Sequence, residues 1–188
     1  ANTTLDAGSN QDISVGLSWT NSGTFTSASG TVTFNGSLNQ VITTGGVGTG
    51  NDFYNLTIAN TGSPADPLDV ETSGAIKVTG TLDVQVGQFM PATSSEFLDV
   101  TVSASGGILK PASSSSITVS GNWSDASGTF TPNSGTVVMD GTSKTIATGS
   151  TNEFNNLTVS GTVSTSTAND IEVEGTLTVS GSLTVSPG

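Results

Sequence analysis

Cysteine, histidine and arginine are absent from the 188 residues, and lysine occurs only at Lys77, Lys110 and Lys144. Each absence removes a class of chemistry. Without His or Cys the common Ser-His-Asp and Cys-His nucleophilic systems cannot be assembled. Without Arg there is no bidentate clamp for phosphate or carboxylate. Ser143 and Lys144 adjoin, but neighbouring side chains leave a strand on opposite faces. No enzyme activity is expected. Fifteen Asp and Glu against three Lys give a net charge of −12, which repels nucleic-acid phosphates and anionic lipid, so no nucleic-acid partner is expected. No apolar run approaches the roughly 18 residues of a membrane helix. Aromatic residues make up only 5%, little for a thick core. The chain begins at Ala1, with polar Asn2, Thr3 and Thr4 behind it. That reads as a mature product with its signal peptide removed, and so as an extracellular protein.

What fills the chain instead is 32 Thr, 29 Ser and 24 Gly. Val, Ile and Thr recur at short intervals, which favours strand over disorder. TLDVQV, LDVTV, ITVS, IEVE and TLTVS alternate apolar and polar, one face in and one out. Asn35-Gly36, Asp140-Gly141, Ser73-Gly74, Ser120-Gly121 and Ser180-Gly181 punctuate them.

The sequence is also duplicated. WTNSGTFTSASGTVTFNGSLNQVI from Trp19 matches WSDASGTFTPNSGTVVMDGTSKTI from Trp123, aligning Phe25 with Phe130, Phe34 with Met139 and Val41 with Ile146. The loop from Gly45 to Asp52 is longer in the first copy. Beyond it Phe53–Val84 and Phe154–Val185 align without a gap, and 13 of the 32 pairs are identical. LDAGSNQDISV lines up with LKPASSSSITV, Leu5 with Leu109 and Ile13 with Ile117. The units are residues 1–104, with an additional segment 85–104, and 105–188, a second and truncated repeat. Short Thr-rich strands with Gly at the corners predict an all-β fold, a β-solenoid built from two related repeats of about one hundred residues. Two tandem β-sandwich domains are the alternative.

FNNLTVSG, GTLTVSGSLTV and SGTFTPNSGTVVMDGT, with GNW upstream, resemble β-solenoid-type repeats of bacterial and archaeal adhesin-like or surface-layer-like extracellular proteins. The resemblance covers residues 13–185 and implies a structural or adhesive role at a cell surface. It carries over no catalytic residue. A solenoid without caps leaves unpaired backbone at its ends. The expected partner is therefore a second copy, added head to tail into a fibre, sheath or lattice. A monomeric adhesin or carbohydrate-binding module of a larger protein is the other reading.

Three groups of residues are candidate sites. Asp170, Glu172 and Glu174 alternate along one strand face, with Asp69 and Glu71 at matching places and Asp66 nearby. Such carboxylates suit Ca²⁺, with no other cofactor expected, or simply form a solvated face. Trp19 and Trp123 are repeat equivalents, able to stack on cell-surface glycans or to anchor the core. Asn2, Asn35, Asn55, Asn122 and Asn156 begin N-x-S/T sequons and are candidates for glycosylation.

Overall fold

The computed structural model describes residues 3–62, 70–166 and 170–186. Among these residues there is no helix, and the pairing between strands is parallel throughout. The strands stack as a β-solenoid of about nine turns. The long strands Lys77–Met90 and Ser95–Leu109 each run across several faces, which makes the pairing network cyclic. Successive strands nevertheless climb an axis rather than circle one, so the result is a coil and not a barrel. One hydrophobic core runs through both copies, from Ala7 to Val163. The sandwich alternative is thereby excluded.

The coil has three faces, each a column of inward residues. The first runs Ile13, Val32, Leu56, Leu82, Val100, Trp123, Ile146 and Thr165. The second includes Gln40, Val70, Phe89, Leu109 and Phe130, with Phe154 on Val173 above them. The third carries Phe53, Val78, Phe97, Val119, Met139, Val159 and Val179. Alternation places Val, Leu, Ile and Phe inside, and the Thr and Ser between them outside, as a period of two requires.

The second copy is turned by one face relative to the first. Ile13 stands on the first face but its equivalent Ile117 is on the third; Trp19 pairs with Ile42 on the second, Trp123 with Ile146 on the first. These pairings also shift the alignment by one residue: Ile42, not Val41, is the counterpart of Ile146. Local packing survives the turn. Trp19, Phe25 and Phe53 form a triad with centroids 5.0, 5.6 and 5.9 Å apart, and Trp123, Phe130 and Phe154 repeat it at 4.8, 5.4 and 5.6 Å. Corners repeat too: Asn10 and Ser114 share the left-handed backbone region at φ 67° and 56°.

One corner is built from glycine at a spacing of twenty residues: Gly121, Gly141, Gly161 and Gly181. A Cβ on Gly141 would collide with the Ser120 carbonyl oxygen, one on Gly161 with that of Gly141, and one on Gly181 with that of Gly161. The close approach lets Thr162 N donate to Gly141 O at 2.9 Å and Ser182 N to Gly161 O at 2.8 Å. Gly161→Ala should cost about 1–3 kcal/mol by overpacking. At about 2–4 °C per kcal/mol in a chain of this size, its melting temperature falls by several degrees in a circular-dichroism melt. Gly74, with nothing near its Cβ position, is the control: Gly74→Ala leaves the melt unchanged or slightly raised. Equal falls for the two variants would contradict the stacked-corner account.

Candidate functional site

The acidic candidates do not converge. Glu71 sits in Val70–Thr72, level with Val41 and Met90, whereas Glu172 sits level with Glu153 on a separate strand pair. Asp66 and Asp69 lie outside the described residues. Asp170, Glu172 and Glu174 are exposed. Glu153, which the spacing argument did not select, is the carboxylate brought beside Glu172 and Glu174. Local desolvation first, then the charges of Glu174 and Glu172, raise its pKa above the ordinary glutamate value. Among the described residues no three Asp or Glu are grouped so as to hold a metal ion.

Three of the sequon asparagines are parts of the ladder. Asn55 Oδ1 accepts from Thr81 N and Asn156 Oδ1 from Thr176 N, both at 2.9 Å. Asn122 Oδ1 accepts from Thr145 N at 3.1 Å, and its Nδ2 donates to Asp99 Oδ1 at 3.2 Å. Asn35 is exposed, and Asn2 lies outside the described residues.

The two tryptophans differ. Trp123 is fully buried under the strand that carries Val100. It offers a sugar no ring face, so the expectation that it stacks on a glycan does not hold. Trp19 is half-buried and borders a cleft of about 410 Å³ shared with Leu5, Asn21 and Phe25. The difference arises because Trp123 lies between two paired strands, at Val100 and Ile146, whereas among the described residues Trp19 is paired on one side, with Ile42.

That asymmetry extends to whole rungs, and the duplication supplies the comparison. At one end Leu5 is 50% exposed while its equivalent Leu109 is 0%. At the other, Leu177, Val179 and Val185 are 49%, 45% and 57% exposed, against 0%, 1% and 0% for Ile76, Val78 and Val84. The same positions that the interior seals are open at both ends of the described stack.

Asp125 escaped the sequence reading. It follows Trp123 by two residues, as Asn21 follows Trp19, and its N donates to Ala147 O at 3.0 Å as Asn21 N does to Thr43 O at 2.8 Å. Its carboxyl is fully buried. Oδ1 accepts from Gly149 N at 3.0 Å. Oδ2 faces the Trp123 indole N–H without a well-aligned bond, leaving both atoms unsatisfied. In the first copy the neutral Asn21 closes the same corner, Nδ2 donating to Gly50 O at 3.1 Å and Oδ1 accepting from Gly23 N at 3.0 Å. Burial pushes the Asp125 pKa above the usual aspartate value, against the pull of donors from Trp123, Gly149 and Asn152.

No protein-family model matches the chain, and neither a curated protein nor a solved structure matches it.

A carboxyl whose pKa is raised on folding holds its proton longer in the folded than in the unfolded chain. Its contribution to stability is therefore lost as pH rises from the ordinary aspartate range through the raised folded value. Asp125→Asn removes that term. The melting temperature of the variant minus that of the parent should become more positive between about pH 3.9, the unperturbed aspartate value, and neutrality. A pH-independent difference would place Asp125 in contact with solvent.

Proposed function

We propose that this chain is an extracellular structural subunit whose copies stack end to end, extending the solenoid into a cell-surface fibre, sheath or lattice. The observation that carries the reading is the pair of open rungs. Leu177, Val179 and Val185 at one end and Leu5 at the other occupy positions that the interior of the same chain buries. Exposed strand edges with apolar inward residues are templates for another strand. The interior columns also supply a seat. Ile117, Val137, Leu157 and Leu177 form one line, so Ile13 of an incoming copy belongs over Leu177. Val15 then falls on Val179, and Trp19 over the strand that carries Leu183. A head-to-tail contact of this kind does not close on itself, and it propagates.

A flanking segment of the same polypeptide would cover these rungs equally well, as in a module of a larger adhesin. The part-open Trp19 cleft favours that second reading, with a glycan as ligand. The outcomes differ: copies covering copies make polymers, whereas the module stays monomeric. Negative-stain microscopy and light scattering of residues 1–188, with and without a calcium chelator, should show linear particles that lengthen with concentration and survive chelation. Val179→Asp places a charge in each junction at a cost of about 3 kcal/mol, which raises the concentration needed for assembly by roughly 100-fold while the melt is unchanged. Monomers of the parent chain at high concentration overturn the polymer reading.

A further inference from the structure

Both copies contain two consecutive hexapeptides of one design: Gly74-Ala75-Ile76-Lys77-Val78-Thr79 followed by Gly80-Thr81-Leu82-Asp83-Val84-Gln85, and Gly175-Thr176-Leu177-Thr178-Val179-Ser180 followed by Gly181-Ser182-Leu183-Thr184-Val185-Ser186. The copies use them differently. In the first, the second hexapeptide caps the preceding strand: Leu82 pairs with Leu56, Thr81 N donates to Asn55 Oδ1 at 2.9 Å, and Gly80 N to Tyr54 O at 2.7 Å. In the second copy the first hexapeptide does this: Leu177 pairs with Leu157, Thr176 N donates to Asn156 Oδ1 at 2.9 Å, and Gly175 N to Asn155 O at 2.7 Å. The same pairing and the same two hydrogen bonds, at the same lengths, are made by segments six residues apart in the duplication.

We infer that the last rung of the second copy has two registers, six residues apart, and exchanges between them. A shift of six keeps every inward side chain inward, because it is even. Gly181-Ser182-Leu183 presents to Asn156 and Leu157 the groups that Gly175-Thr176-Leu177 presents. In the shifted register Val179 covers Phe154 as Val78 covers Phe53, and Ile171 takes the place over Lys144 that Val70 has over Gln40. What the shift gives up is the strand Thr162–Thr165, with Val163 and Thr165 buried. The first copy differs in sequence at the matching positions. It reads Thr61-Gly62-Ser63-Pro64 there, and Gly and Pro weaken or block a ladder. The second copy, with Thr162-Val163-Ser164-Thr165, permits both. Each exchange moves the end of the stack by one face.

The absence of cysteine makes the test direct. Aligned residues on adjacent strands lie within disulfide reach. Thr158 pairs with Thr178 in the observed register and would pair with Thr184 in the shifted one, as Thr57 pairs with Asp83. Under mild oxidation Thr158→Cys/Thr178→Cys should close quickly. Thr158→Cys/Thr184→Cys should close more slowly but to high yield, since a state populated at about 0.1–10% is drained by trapping. In the first copy Thr57→Cys/Asp83→Cys should close and Thr57→Cys/Lys77→Cys should not. Thr165→Pro, which gives the second copy the proline of the first, should speed the 158–184 closure at least several-fold, with the far-ultraviolet spectrum retained. If 158–178 and 57–83 close while 158–184 closes no faster than 57–77, the rung has a single register and the inference fails.

Discussion

Every rung of this protein is fixed by main-chain bonds to the rung beneath it, and those bonds form only where the corners let two backbones approach. The glycines at 121, 141, 161 and 181 are where that constraint is tightest, since a single methyl group there meets the carbonyl oxygen below. The side chains follow from it. Once parallel strands are in contact, alternation decides which residues face inward, and columns of Val, Leu, Ile and Phe form along the axis. The aromatic triads around Trp19 and Trp123 then pack within those columns, each ring pair adding about 0.5–1.5 kcal/mol beyond its buried area.

The same constraint accounts for the uneven ends. A rung inside the stack has both edges satisfied, and its inward residues lie between two others. A rung at the end has one of each. Because the chain carries most of its sequence twice, equivalent residues are seen in both conditions, and the contrast between Val78 and Val179 or Leu109 and Leu5 is a property of position rather than of residue type. Asp125 and Asn21 make a second such contrast. One corner is closed by a neutral amide with its groups satisfied, the other by a carboxyl with one oxygen unmatched, and only the latter couples the fold to pH.

Strand content, the solenoid and the duplication were legible because each depends on local pattern: two-residue alternation, Gly at corners, and recurrence of Trp-x-(Asn/Asp) and Phe-x-Asn-Leu-Thr. The phase of the second copy was not legible. It depends on the face that Thr162–Thr165 adds, where the difference from the first copy, Val163 for Gly62 and Thr165 for Pro64, reads in sequence as ordinary drift. The alignment of Val41 with Ile146 failed by one residue for a related reason, since loop length and not identity sets which Ile points inward. Spacing also misjudged the acidic residues. Glu71 and Glu172 match in sequence but rest against different strands, while Glu153 joins Glu172 through register alone. Asp125 could have been noticed: an Asp where the first copy has Asn, two residues after a Trp, marks a polar side chain held next to an aromatic core.

The duplication is not a whole number of turns. From Ile13 to Ile117 the chain makes four circuits and then two further faces. Successive copies in a longer array, if spaced alike, are related by a screw and not by a translation. A patch that points north on one copy points a third of a circle away on the next, and only the fourth copy faces north again. Such a rod shows the same chemistry on all sides over a length of three copies, so its neighbours can approach from any direction and none of its flanks is privileged.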